Sequence, residues 1–180
     1  MNTFIALLRG INVGGNNILP MRNLVELLES LGLSQVKTYI QSGNVVFQSE
    51  SKNSAELANQ ISTAIGKSFG FMPQVMILEM KVFQEAITSN PFPEGESEPK
   101  TLHLFFLADV PQNPDLEMLE SLKSNSEQFM LTNSVFYLYA PDGIGRSKLA
   151  AKVEKALGVA VTARNWRSVS KIMALAEQLN

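Results

Sequence analysis

The sequence predicts an α+β fold in which the element order βαββαβ occurs twice. Strand-like apolar segments alternate with segments of helical periodicity in both halves of the 180-residue chain. A stretch rich in proline and glutamate, residues 90–100, separates the halves and is typical of a linker. Apolar positions of helix 54–69 recur about 92 residues later, which indicates an internal duplication. We therefore expect two tandem ferredoxin-like units, each a split βαβ motif, with an extra helix after each.

Hydrophobic periodicity and capping residues define the elements of the first half. Apolar residues at helical spacing predict a helix that begins at Pro20 and ends at Gly32. Asn53 and Glu56 have the spacing of a capping box at the start of the second helix. The predicted elements are strand 3–9, helix 20–31, strands 36–41 and 44–48, helix 54–69, strand 74–78 and an extra helix 79–89.

The second half repeats this order after the linker. The predicted elements are strand 101–108, helix 114–124, strands 128–132 and 134–140, helix 147–157, a short strand 159–162 and a terminal helix 165–179. The expected domain organisation is an N-terminal unit with its connecting helix at 1–89, a linker at 90–100, and a C-terminal unit with the terminal helix at 101–180.

The composition restricts the function classes. The chain has no cysteine, which excludes disulfides, thiolate nucleophiles and cysteine-ligated metals. Its net charge of −2, from 15 basic and 17 acidic side chains, gives no sign of the broad positively charged surface that nucleic acid binds. Any anion binding therefore has to be local. The apolar run 4–8 is too short for a signal peptide or a membrane span, so we expect a cytoplasmic protein that binds no membrane.

No residue pattern assigns a reaction. The acidic residues lack the spacing of a metal site or of an acid–base couple, and we expect neither a metal nor a cofactor. His103, the only histidine, lies in a predicted strand with Phe105 and Leu107 on the same face, which favours a structural role. Phe105, Tyr137 and Tyr139 are predicted to share a face of the second sheet and to pack there, since no RNA-recognition octapeptide accompanies them.

Five ordered motifs carry a family resemblance. They are LRGINVGG near the start, QSGNVVF before the second helix, NPF ahead of the second unit, and GRSKL and TARNWR near the end. Together they resemble the bacterial family known as domain of unknown function 1697, over essentially the whole chain. The resemblance implies a cytoplasmic bacterial α+β protein with a duplicated ferredoxin-like fold, and it leaves the function open because the family has no established activity.

Two loops rich in glycine and asparagine form the first candidate site. In βαββαβ topology, the loop after the first strand and the turn between the second and third strands share one end of the sheet. A glycine-rich turn that opens toward a helix N-terminus, with an arginine beside it, suits a phosphate or carboxylate. The candidate ligand-binding residues are Arg9, Asn12, Gly14, Gly15, Ser42, Gly43 and Asn44. In the alternative interpretation, the glycines supply positive φ angles, Asn12 and Asn44 brace the loops, and Arg9 pairs with a surface glutamate.

A basic cluster forms the second candidate site. Loop 141–148 and residues 162–167 are expected to be neighbours at one end of the second unit, beside two predicted helix N-termini at Ser147 and Asn165. The cluster comprises Arg146, Lys148, Arg164, Asn165, Trp166 and Arg167. Trp166 either stacks on a base or an aromatic ligand, or fills the core. Ser147 is expected to cap its helix rather than act as a nucleophile, because no base is near it in the sequence.

Three functional hypotheses follow from these sites. The leading one is binding of a small anion, such as a phosphorylated or nucleotide-like molecule, at the glycine and asparagine loops, with the basic cluster as a second site or as part of the same one. The second is nucleic-acid binding through the C-terminal arginine and tryptophan cluster, which predicts affinity that falls steeply with salt. The third is a protein-interaction adaptor without chemistry, in which the loops support a dimer or partner surface.

Overall fold

The computed structural model describes residues 1–180 and has a mixed α+β architecture with two four-stranded antiparallel sheets and seven α-helices. The strands are β1 (Asn2–Arg9), β2 (Ser34–Tyr39), β3 (Asn44–Ser49), β4 (Gln74–Glu79), β5 (Leu102–Leu107), β6 (Gln128–Leu131), β7 (Val135–Tyr139) and β8 (Val161–Asn165). The helices are α1 (Met21–Ser30), α2 (Ser54–Phe69), α3 (Met80–Thr88), α4 (Glu94–Ser97), α5 (Leu116–Leu122), α6 (Val153–Leu157) and α7 (Trp166–Glu177). None of these helices is long and apolar enough to cross a membrane.

The two sheets have the same strand order. It is β2-β3-β1-β4 in the first sheet and β6-β7-β5-β8 in the second, so that the first strand of each half lies between the third and the fourth. The chain divides into two compact units. The first unit contains Met1–Glu85 and Ser170–Asn180, and the second contains Ala86–Val169. Residues 170–180 therefore group with the first unit, whereas the predicted organisation placed them in the second.

Capping residues set the helix ends that the sequence indicated. Gly32 has a φ of +84° after α1, and its N–H donates to the Glu29 carbonyl at 3.0 Å. Asn53 caps α2, because its Oδ1 accepts a hydrogen bond of 3.0 Å from the Glu56 N–H. These local patterns confirm the predicted helices 20–31 and 54–69 to within one residue.

Several predicted elements differ from the structure, among them strand 36–41, which is observed as β2 at Ser34–Tyr39. The helix expected at 147–157 starts as α-helix only at Val153, because residues 144–146 and 150–152 form separate 3₁₀ turns. Segment 90–100 contains the short helix α4 and is not a structureless linker. Gly95 of α4 is buried, and a Cβ there would lie 2.7 Å from Leu102 Cβ. Strand β8 begins at Val161 rather than at 159, because Val161 is the first of its residues to pair with β5, where it lies opposite Leu107.

The core of the first unit lies between the sheet and helices α1 and α2. Phe4 and Phe47 form a cross-strand pair with ring centroids 5.7 Å apart, and both are fully buried. Ile5 and Leu7, on the other face of β1, are also 0% exposed. Both faces of β1 are therefore buried.

The second sheet packs one face against α5 and α6. Phe105, Phe136 and Leu138 belong to that core. The prediction that Phe105 and Tyr137 share a face was wrong, because Phe105 pairs with Phe136 whereas Tyr137 pairs with Leu104, and successive residues alternate between faces. The hydroxyl of Tyr137 donates to the Ala86 carbonyl at 2.6 Å, and burial raises the pKa of Tyr137 to about 12.

Candidate functional site

The loop after β1 folds into a small hairpin of its own. Val13 and Asn16 form a bridge, and Gly14 and Gly15 between them have φ angles of +56° and +77°. Positive φ at both central positions is the requirement of a type I′ turn, which glycine meets without strain. Helix α1 begins later, at Met21, so the glycine turn does not open directly onto a helix N-terminus as the sequence predicted.

Asn12 holds the two loops of the first candidate site together. Its Nδ2 donates to the Leu19 carbonyl at 2.9 Å and to the Gln41 carbonyl at 2.8 Å, and its Oδ1 accepts from the Leu19 N–H at 2.7 Å. The Leu8 N–H donates to the Gly43 carbonyl at 2.8 Å. The loops therefore meet at one end of the first sheet, as the topology predicted. The amide of Asn12 uses its donors and an acceptor within the protein, as the bracing interpretation expects.

Asn44 has a similar role inside the β2–β3 turn. It is 1% exposed, and its Nδ2 donates to the Tyr39 carbonyl at 2.9 Å and to Ser42 Oγ at 3.0 Å. Arg9 is exposed, and its Nη1 donates to Gln74 Oε1 at 3.4 Å. The predicted residues that remain exposed at this site are Arg9, Gly14, Gly15 and Ser42.

Asn12→Ala is expected to lower the free energy of unfolding by about 2 kcal/mol, because the loop carbonyls lose their donor and alanine is strained at the φ of +52°. Urea denaturation measures this change. Asn16→Ala is the matched control, since Asn16 is exposed in the same hairpin; it should change the free energy by less than about 0.5 kcal/mol. Equal effects of the two variants would contradict the bracing role.

A pocket of about 420 Å³ lies in the second unit beside the loop that follows β7. Its volume is within the range of about 300–1,000 Å³ that small-molecule sites occupy. The lining residues are Leu122, Ser124, Glu127, Ala140, Asp142, Gly143, Arg146, Ser147 and Lys148. Two members of the predicted basic cluster, Arg146 and Lys148, therefore share one concave surface.

Hydrogen bonds join the walls of this pocket. Ser126 Oγ donates to Asp142 Oδ2 at 2.5 Å, which links the turn after α5 to the loop after β7. Ser147 Oγ accepts a hydrogen bond of 3.0 Å from the N–H of Ala150, the first residue of the following 3₁₀ turn. Ser147 does not cap an α-helix as predicted, because α6 begins only at Val153.

The charged side chains of the pocket are of both signs. Arg146 and Lys148 are exposed, and neither forms an ion pair or a hydrogen bond within the protein. Glu127 is only 4% exposed, and its Oε2 accepts a hydrogen bond of 2.9 Å from the Ser124 N–H. Asp142, which accepts the hydrogen bond from Ser126, is exposed. The pocket thus offers unpaired cations together with two carboxylates.

Arg164 does not share this surface. Across β5 and β8, Arg164 pairs with Leu104 and Asn165 pairs with His103, so the side chains of Arg164 and Asn165 point to opposite faces of the sheet. Arg164 lies on the face opposite to the α5 and α6 core, and its Nη1 donates to the Ala163 carbonyl at 2.8 Å. Burial lowers the pKa of Arg164 to about 10. The sequence analysis missed this separation because it ended the strand at 162, whereas β8 extends to Asn165.

The remaining residues of the predicted cluster are at the start of α7. Asn165 Oδ1 accepts a hydrogen bond of 2.9 Å from the Ser168 N–H and caps the helix. Trp166 is 8% exposed, which agrees with the core alternative for this residue. Arg167 is exposed. Of the cluster, only Arg146 and Lys148 line the pocket.

His103 is buried in β5. It is 8% exposed, and its Nδ1 has no hydrogen-bond partner. Burial lowers the pKa of His103 from 6.5 to about 4, so the ring is neutral near pH 7.

Nowhere does the structure bring together three or more histidine, aspartate or glutamate side chains that could hold a metal ion.

Comparison with known proteins identifies the family. Residues 1–137 match the family described as "Protein of unknown function (DUF1697)". The chain belongs to this family. The family predicted from the sequence is thereby confirmed, and the description assigns the DUF1697 family no activity.

A solved structure is similar to this DUF1697 chain along nearly its whole length. It is described as the structure of conserved bacterial protein SP0830 from Streptococcus pneumoniae, and the TM-score is 0.71 at 24% sequence identity. The similarity covers 97% of this chain and 98% of that chain. At this identity the likeness concerns the fold alone. No curated protein matches the chain.

Proposed function

We propose that this DUF1697 protein binds a small phosphate-bearing molecule in the pocket of the second unit. The observation that carries the proposal is the presence of two cations without ion-pair partners, Arg146 and Lys148, in one concave surface. Guanidinium groups bind phosphate oxygens in a bidentate manner, and lysine adds a mobile positive charge. Because neither cation is paired, an incoming anion displaces no carboxylate of the protein.

The geometry favours a small ligand over nucleic acid. Nucleic-acid binding requires several cations along a phosphate backbone, with exposed aromatic rings for stacking on single strands. Trp166 is 8% exposed, and Arg164 points away from the α5 and α6 face. Two adjacent cations in a pocket of about 420 Å³ suit one phosphate group of a metabolite better than a polymer.

Replacing both cations is expected to weaken phosphate binding. The double variant Arg146→Ala with Lys148→Ala should reduce the affinity for ethyl phosphate by about tenfold or more, because charge-assisted hydrogen bonds to the phosphate are lost. Isothermal titration at fixed ionic strength measures this affinity. The matched control is Arg22→Ala with Lys81→Ala, which removes the same two charges from exposed ion pairs with Glu26 and Glu85.

The outcomes of this experiment separate the hypotheses. Equal losses in the pocket variant and the control would indicate a general effect of net charge and contradict the proposed site. A loss confined to Arg9→Ala would move the site to the glycine and asparagine loops. No binding of ethyl phosphate or of any other phosphate monoester to the unmodified protein would overturn the proposal and favour the adaptor hypothesis.

One observation favours a protein contact as the second candidate function. Val13, Ile18 and Ile40 are 64%, 57% and 50% exposed, and all three belong to the two loops that Asn12 joins. Ile40 has a φ of +50°, a conformation that β-branched residues rarely adopt. Apolar side chains exposed in one region often mark an interaction surface. These loops suit a partner surface better than an anion site.

We also infer that the two units are tandem ferredoxin-like domains that arose by duplication. The repeated element order and the identical strand order of the two sheets support this inference. The recurrence of apolar helix positions after about 92 residues supports it as well. In this proposal the boundary between the two repeats lies within residues 90–100, whereas the compact units separate after Glu85. The same proposal includes a bacterial, cytoplasmic origin.

A further inference from the structure

The pocket of the second unit contains a buried carboxylate with one oxygen unused. Glu127 lines the pocket although the residue is 4% exposed. Its Oε2 accepts from the Ser124 N–H, whereas its Oε1 has no hydrogen-bond partner within the protein. His103 Nδ1 is the one fully buried side-chain polar atom without a partner, so Glu127 Oε1 is not completely shielded from solvent. A nearly buried acceptor in this position is suited to a donor that enters the pocket.

A second carboxylate lies on the adjoining segment. Asp142 Oδ2 accepts from Ser126 Oγ at 2.5 Å, and Asp142 Oδ1 has no partner within the protein. Because the Ser126 hydrogen bond ties the Asp142 loop to the turn that carries Glu127, the two acids belong to one connected wall. The protein holds these acceptors in place before any ligand arrives, which lowers the entropic cost of binding.

The charges of the lining side chains constrain the ligand. Arg146, Lys148 and the neighbouring Lys123, whose Nζ donates to the Glu127 backbone carbonyl at 3.2 Å, face the carboxylates of Glu127 and Asp142. A phosphate with a charge of about −2 would therefore leave the occupied pocket with a net charge of about −1. A hydroxyl group could donate a hydrogen bond to Glu127 but would not compensate that charge. An ammonium group does both, since it donates up to three hydrogen bonds and carries a positive charge. Carboxylates that lose water on burial require such a cationic partner.

We propose that the pocket binds a zwitterion, with a phosphate at Arg146 and Lys148 and an ammonium group at Glu127. This inference rests on the proposed function, because the phosphate end uses the same two cations. Asp142, which is more exposed than Glu127, assists at the ammonium end. The ligand class is therefore a small amino-phosphate rather than a simple phosphate ester.

Two probes that differ only by the ammonium group test the inference. Isothermal titration compares 2-aminoethyl phosphate with ethyl phosphate, and 2-hydroxyethyl phosphate serves as the uncharged donor. We expect 2-aminoethyl phosphate to bind about tenfold more tightly than ethyl phosphate. The hydroxyl probe should bind within about threefold of ethyl phosphate, because it adds a hydrogen bond without charge.

Glu127→Gln should remove the preference for the ammonium probe and leave the affinity for ethyl phosphate equal or higher. Glutamine keeps an oxygen that accepts from the Ser124 N–H, so the turn is preserved, and circular dichroism verifies the fold. Asp142→Asn, at an exposed position, provides a second variant and should reduce the preference by about threefold.

The failures of the two proposals are distinguishable. Equal affinity of the ammonium and ethyl probes, or a preference that persists in both acid variants, overturns the zwitterion inference. Ethyl phosphate binding that still depends on Arg146 and Lys148 would then leave the proposed function intact. Absence of binding by every probe overturns the proposed function, and the inference with it.

Discussion

Gly43→Ala is expected to lower the free energy of unfolding by about 3 kcal/mol. A Cβ at this position would lie 2.7 Å from Leu8 Cβ and 2.8 Å from Ile11 Cδ1. Overpacking of this kind costs about 1–3 kcal/mol, and the φ of +84° adds about 1–2 kcal/mol for any residue with a Cβ. Leu8 and Ile11 are in the buried core, so neither can move aside freely. Urea denaturation, with the m-value checked for constancy, measures the loss.

Gly15→Ala is the matched control for this prediction. Gly15 has a φ of +77°, but no atom lies within 4 Å of a Cβ placed there. Only the backbone strain remains, and the expected cost is about 1 kcal/mol. If the two variants lost equal stability, the close approach of the β2–β3 turn to β1 would not be what requires glycine at position 43.

Acidification between pH 6.5 and pH 4 is expected to destabilise the protein by about 3 kcal/mol through His103 alone. Its pKa is about 4 in the folded state, below the ordinary value of 6.5. Between these values the unfolded chain binds a proton that the native protein does not. The free energy of unfolding therefore falls as the pH decreases through this window, and His103 contributes no pH dependence above it.

The variant His103→Leu isolates this contribution. Carboxylates titrate in both proteins and largely cancel in the difference, and His103 is the only histidine. We expect the variant to equal or exceed the original stability at pH 7, because leucine removes a buried Nδ1 that has no partner. Its advantage should grow by about 3 kcal/mol down to pH 4. A constant difference between the two proteins across this range would contradict a buried, neutral His103.

Local patterns were sufficient for most of the fold. Asn53 with Glu56, and Gly32 after a helical stripe, identify helix ends from a few neighbouring residues. The repeated element order also predicted that the loops around Asn12 and Gly43 meet at one end of the first sheet. The helix ends were predictable because capping hydrogen bonds join residues close in sequence. The meeting of the two loops was predictable because it follows from the strand topology.

Other predictions failed where a shift of one residue changes the result. Phe105 and Tyr137 were expected on one face, but the β5–β7 register places them on opposite faces. Arg164 and Asn165 lie on opposite faces because β8 extends to Asn165, whereas the predicted strand ended at 162. Hydrophobic patterns cannot settle register in strands that are apolar on both faces, because neither setting exposes more apolar surface than the other.

The amino-acid sequence alone determined the α+β elements and the helix caps, because both depend on contacts between near neighbours. It also showed directly which basic residues loop 141–148 contains. Only the tertiary structure decided which cations share a pocket and that Glu127 stands in its wall with one oxygen unused. Glu127 lacked any motif and was not predicted as a site residue. Its role depends on burial and on the Ser126–Asp142 hydrogen bond, and both arise only when distant segments pack together.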